Sequence, residues 1–355
     1  MLLAGLSLMV GLWTGALRLG WNLPVLGQGI PLGHGPFMVV GFLGTLIGLE
    51  RAVAGNRIWP YGVPISTGLG ALTLLFGFPL LVGASLTTIG SLLMVLVFVS
   101  LYRQSPAAHF VIMGVSAIAW GIGNTLWSRG VALFTVVPWW VGFLVLMIAA
   151  ERLQLSRVMQ RSTRTFVLFY LSTAVLLLGL TYSLNSFHLG LRLTGIGLLA
   201  LALWLVRYDI VWSSIRRPGL PRFMAVCLLS GYVWLAVSGL LWLFMAHHFQ
   251  SGPRYDAMLH GIFLGFVFPM IFAHAPIIFP AITGMALPFR AAFYAHLFLL
   301  HLSLLLRIAG DLMLWISAYR WGGTLNILAV VIFVGNNIYA AKLGAREGGG
   351  STRGS

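Results

Sequence analysis

Long apolar runs recur along the chain at short intervals, and each is about the length a helix needs to cross the hydrocarbon core of a bilayer. They predict twelve membrane-spanning helices, at residues 2–19, 34–54, 60–80, 84–102, 107–127, 131–152, 164–184, 188–210, 222–246, 256–282, 289–313 and 321–342. The intervening polar stretches are short, and no soluble domain interrupts the series. The pattern therefore predicts an all-α polytopic membrane protein with one transmembrane domain over residues 1–343. A low-complexity tail ends the chain in GGGSTRGS, and residues 344–355 are expected to be disordered.

Polar residues inside these runs are the next signal, because an ionisable side chain within a membrane span is expensive and marks a functional site by default. The richest run is Met258 to Gly284, MLHGIFLGFVFPMIFAHAPIIFPAITG, with two histidines, His260 and His274, and three prolines. In a regular helix the 14 residues between the histidines turn through about 1400°, roughly 40° short of four turns, and rise about 21 Å. The expectation is one helix presenting two imidazoles from nearly the same face at two depths, as two stacked metal centres would require.

Composition agrees with the membrane reading: 59% of the 355 residues are hydrophobic, 8% are charged, and the mean hydropathy is +0.97. The net charge of +15 does not indicate nucleic acid, since the arginines are spread through short loops. Their distribution sets the topology instead. The even-numbered loops and C-terminus hold 15 Lys and Arg, the odd-numbered loops and their flanks five. Both termini are thus expected in the cytoplasm, in a bacterial-type inner membrane. Cys227 is the only cysteine, which excludes an internal disulfide, a CxxCH haem attachment and a Cys-ligated iron–sulfur cluster.

A faint internal echo suggests three four-helix arcs. Spans 2 and 6 end in LIGLERAVA and LMIAAERLQL, each with an acid–Arg pair (Glu50–Arg51, Glu151–Arg152), and span 10 shares their Gly-Phe apolar core. His34 opens span 2 and His260 lies one turn into span 10, at similar depth near the outer surface by this topology. Two neutral imidazoles on different helices are the usual cage for a low-spin haem b. Arg307 in span 11 falls at that level, with Asp311 one turn on; either Asp311 or a haem propionate would balance it. Deeper in, His274 and His296 could ligate a second haem or a copper ion, with His301 five residues beyond His296 on span 11. The alternative is that these histidines bond to backbone carbonyls freed by Pro276 and Pro280. His188, His247 and His248 lie at span ends and are expected to be interfacial.

With these histidines the chain resembles subunit I of the haem–copper oxidases, and most of all their degenerate relatives of the NnrS type, linked to nitric oxide stress. The likeness rests on HGPFMVVGF in span 2, HGIFLGFVFPMIF and the Phe279-Pro280-Ala281-Ile282-Thr283-Gly284 turn in span 10, and HLSLLLRIAGDL in span 11. It implies a low-spin haem between His34 and His260, with Arg307 as a propionate partner. The oxidases' catalytic-haem histidine, two residues before the span 10 ligand, is Met258 here, and spans 6 and 7 contain no histidine for copper. The resemblance therefore implies electron transfer or nitric-oxide-related redox chemistry without an oxygen-reducing binuclear centre. Respiratory-chain subunits or a cytochrome c-like protein would be the electron partners. The rival class is a cofactor-free secondary transporter, which twelve spans with Gly- and Pro-broken helices also suit.

Overall fold

A computed structural model describes residues 1–25, 33–55, 57–156 and 162–350, and there is no strand among them. The helices follow the apolar runs. We number them α1 (Leu2–Arg18), α2 (His34–Ala54), α3 (Gly62–Leu75), α4 (Leu80–Gln104), α5 (Ala108–Ser128) and α6 (Leu133–Ser156). They continue as α7 (Thr163–Tyr182), α8 (Phe187–Tyr208), α9 (Leu220–Met245), α10 (Pro253–Thr283), α11 (Phe293–Leu312) and α12 (Ile316–Gly350). A single turn, Val211–Ser214, links α8 to α9.

Ten of the helices are long and apolar enough to cross a membrane. The chain is an all-α polytopic membrane protein, and its apolar side chains are turned outward as lipid contact demands: Leu178, Leu203, Val233 and Phe298 are all exposed. Two of the twelve expected spans are shorter helices, α1 with 17 residues and α3 with 14. α3 stops early at a local signal. Gly77 takes a left-handed conformation (φ +74°), its N–H bonds to the Leu74 carbonyl, and the Phe78 N–H reaches back to Thr73. This is the Schellman stop, and Pro79 then caps α4.

The helices form two compact units, Met1–Gln154 and Leu155–Ser355. The first unit holds α1–α6. Within it α6 is apolar all round and is buried at every position from 136 to 150, the pattern of a helix with no solvent or lipid face. Trp120 of α5 stacks on Phe143 of α6 with ring centroids 4.5 Å apart. Beside that stack, Trp140 donates to Asn124 Oδ1 (2.9 Å), and Asn124 donates to the Thr87 carbonyl (3.2 Å), joining α6, α5 and α4. Gly44 of α2 lies flat on the Trp120 ring, where a Cβ would overlap it.

The second unit holds α7–α12. α7, α8 and α9 pack in sequence, with Gly195 and Gly239 letting the α8 and α9 backbones meet. α10 lies against α9 and α11, and α11 and α12 form a tight antiparallel hairpin. α12 runs on through Gly350, so the segment expected to be disordered from residue 344 is helical over its first turns. The remainder of that tail, 351–355, lies outside the described residues.

Candidate functional site

The helices that carry His34 and His260 share an irregularity. Each opens with normal α-turns and then widens to π-helical turns, over Phe37–Gly44 in α2 and Phe263–Val267 in α10. In each, a histidine stands three residues before the widening, within His34-Gly35-Pro36-Phe37 and His260-Gly261-Ile262-Phe263. Single π-turns inside α-helices concentrate at functional sites. The common His-Gly-x-Phe motif was visible in the sequence; the wide turns were not.

The widening also corrects the expectation that His260 and His274 share a face. A π-turn inserts one extra residue and rotates the rest of the helix by about 100°. Added to the 40° offset of a regular helix, this places the two imidazoles about 140° apart around α10.

Three histidines are held in the same way. His34 Nδ1 bonds to the Gly11 carbonyl (2.8 Å), His260 Nδ1 to the Asp256 carbonyl (3.0 Å), and His274 Nδ1 to the Met270 carbonyl (2.7 Å). A carbonyl can only accept, so each Nδ1 carries the proton and each Nε2 is the basic nitrogen. A histidine that ligates a metal is normally oriented by such a bond. The acceptor for His274 is the carbonyl four residues back, not one freed by Pro276 or Pro280.

His260 has a second support. Its Nδ1 lies 3.2 Å from Asp256 Oδ1, and Arg307 of α11 clasps the same carboxylate with Nε to Oδ2 (2.7 Å) and Nη2 to Oδ1 (2.9 Å). Tyr319 of α12 lies against the guanidinium, ring centroid 5.6 Å from Cζ. Arg307 is buried, and α12 closes over it at Gly322, where a Cβ would overlap the Arg307 backbone. The partner of Arg307 is therefore Asp256, whereas the sequence pointed to Asp311 or a haem propionate. Asp256 was missed because it lies at the polar mouth of the run. Its i,i+4 spacing to His260 was the available signal.

The second level does not assemble as expected. His296 is buried where four helices of its unit meet, ringed by Phe223, Phe272, Phe293 and Phe333 with centroids 4.6–6.2 Å away. Phe272, not His274, faces it from α10. His274 lies two residues on, about 200° around the helix. Asn336 Nδ2 sits 3.1 Å from His296 Nδ1 and also donates to the Ala292 carbonyl, which fixes the amide's orientation. Nδ1 is thus the acceptor, and Nε2 is a buried N–H with no hydrogen-bond acceptor. His301 is fully used: Trp234 Nε1 donates to its Nδ1 (3.0 Å) and its Nε2 bonds to Ser230 Oγ (2.8 Å). As arranged, neither His296 nor His301 offers a lone pair to a metal. Among the described residues no three His, Cys, Asp or Glu side chains converge as a metal cluster.

Away from this region, Arg51 of α2 bonds to both Glu50 and Glu151, so the two expected acid–Arg pairs share one guanidinium. Met258, in place of the oxidase histidine, is fully buried in the core, and its carbonyl accepts from Trp242 Nε1.

Residues 1–342 match a family described as a domain of unknown function, DUF8744. The chain belongs to the DUF8744 family. Comparison of this DUF8744 chain with curated proteins and with solved structures finds no match. The function of this DUF8744 member is therefore read from its own residues.

Proposed function

We propose that this DUF8744 protein binds haem b in the membrane and carries electrons, in a respiratory or denitrification setting, with both termini in the cytoplasm. The observation that carries the reading is the matched pair of His-Gly-x-Phe sites. In each unit a half-buried imidazole stands at the entry to π-helical turns, its Nδ1–H held by a main-chain carbonyl. His260 fits best, because a carboxylate on the ligand's far nitrogen orients the ring and helps to fix its tautomer. His34, in its own unit, is the second nitrogen of the same kind. The bound group would supply a one-electron couple. The residues supply ring orientation, a fixed tautomer and a dry apolar surround. Arg307 acts through Asp256 as a positioning residue. The geometry of His296 and His301 gives no support to a second metal.

The experiment is a reduced-minus-oxidised visible spectrum of the detergent-purified protein with a pyridine haemochrome count. The expected result is one haem b per chain, with bands that vanish in His260→Ala and in His34→Ala and persist in His296→Ala. A colourless preparation overturns the proposal and turns attention to transport, which suits helices broken by π-turns and prolines.

A further inference from the structure

The exposed faces of α8 and α9 are apolar until they reach one end of the second unit. On α8 the outward arc is Leu189, Leu193, Ile196 and Leu203; on α9 it is Val233, Leu240 and Phe244. Two polar residues interrupt these arcs at the same seam. Arg192 lies about 40° round α8 from Ile196, and His247 follows Phe244 by three residues, in the turn that ends α9. The two meet, with Arg192 Nη2 donating to His247 Nε2 (2.9 Å). His188, one turn before Arg192, packs its ring 4.7 Å from that of His247 and bonds through Nδ1 to the Ala246 carbonyl (3.1 Å). Beside them Arg254, at the start of α10, donates from Nη1 to His248 Nε2 (2.6 Å).

This cluster has cations and no anion. A neutral imidazole accepts one guanidinium N–H and takes none of its charge. The Nε–H of Arg192 is enclosed and has no acceptor. Among the described residues neither Arg192 nor Arg254 has a carboxylate within ion-pair distance. The acids lie elsewhere: Glu50 and Glu151 on Arg51 in the first unit, Asp209 at the far end of α8 on Tyr232, and Asp256 on Arg307.

Depth and shape narrow the class of anion. Arg192 lies about 7.5 Å along α8 from its first residue, so its backbone is inside the span. Helical side chains tilt towards the N-terminus, which here is the near end of the span, and a long arginine carries its charge out to that level. Below it Gly195 and Gly239 bring the two backbones together, leaving a seam walled by Ile196, Leu240 and Phe244. Basic pockets between membrane helices hold anionic lipid head groups. A water-soluble anion has no use for the apolar seam beneath.

We infer that the α8–α9 seam binds an anionic phospholipid, its phosphate on Arg192 with Arg254 as the second cation, and an acyl chain along Ile196, Leu240 and Phe244. With no carboxylate there to meet a choline or ethanolamine head group, the site prefers a lipid of net negative charge. The site does not depend on haem.

Thermal unfolding of the purified full-length protein in detergent, titrated with phosphatidylglycerol, phosphatidylcholine or inorganic phosphate at matched ionic strength, tests it. Phosphatidylglycerol is expected to raise the midpoint, and phosphatidylcholine and inorganic phosphate to leave it unchanged. In Arg192→Gln the half-saturating phosphatidylglycerol concentration should rise by about tenfold or more, the loss of a charge-assisted bond. In Arg207→Gln, at the other end of α8, it should not change. If Arg192→Gln does not fold, Arg192→Lys and Arg254→Gln should each weaken the response without abolishing it. Equal stabilisation by the two lipids, no stabilisation by either, or a phosphatidylglycerol response untouched by all three variants at the seam overturns the inference. So does an equal response to inorganic phosphate, which would make the cluster a site for a soluble anion.

Discussion

Arg307 shows why a buried charge is best read from its partners. Its guanidinium and the Asp256 carboxylate are each costly to bury alone, and the bidentate geometry recovers that cost only while both are present. Arg307→Met is therefore expected to destabilise the protein by up to about 3–5 kcal/mol, because the half-buried Asp256 is left without its cation. Asp256→Leu should be comparably harmful. The double variant, with no charge left to strand, should recover much of the loss. Thermal unfolding of the three variants in one detergent measures this coupling; additive losses would show that the clamp is not a unit. His301 obeys the same logic on a smaller scale. Ser230→Ala removes the partner of its Nε2 and should cost about 1–3 kcal/mol, read from the same thermal unfolding.

At the scale of elements, the helices were legible because length and apolarity are all a membrane span needs. The π-turns were not, since Phe37–Gly44 and Phe263–Val267 are as apolar as the α-turns around them. That one invisible feature undid the expectation for His260 and His274, since a shared face over 14 residues is lost when a single residue is inserted. The partner of Arg307 was hidden for another reason: a contact between α10 and α11 leaves no periodic trace in either helix. The turn between α11 and α12 carries an element-scale prediction. Leu314 holds φ at +56°, a left-handed conformation that costs a residue with a Cβ about 1–2 kcal/mol. The side chain is exposed, so little packing is lost with it. Leu314→Gly should therefore stabilise the hairpin, by up to about 1 kcal/mol after the added chain entropy of glycine. The measured quantity is the thermal midpoint, and a fall in it would mean that this turn is held by contacts Leu314 makes with its surroundings.

For the whole molecule, the division into two six-helix units was hidden because hydropathy locates spans without saying which of them pack together. Orientation is the reverse case, carried by charge and untouched by packing. The positive-inside rule places 15 Lys and Arg on the side of the even loops and C-terminus against five on the other. Whether α3 crosses matters here, because at about 21 Å it is shorter than the roughly 30 Å apolar core. If α3 did not cross, every later loop would change sides. Cys227 is the chain's only cysteine, so Cys227→Ala gives a background for placing single cysteines in exposed loops. Phe78→Cys, Asn185→Cys and Ser251→Cys should react with a membrane-impermeant thiol reagent in intact cells. Ser105→Cys and Arg217→Cys should react only after the membrane is opened. The reversed pattern throughout would overturn the orientation. Phe78→Cys protected, with positions beyond it inverted, would show that α3 is a half-depth helix and that the charge bias has been read across the wrong number of crossings.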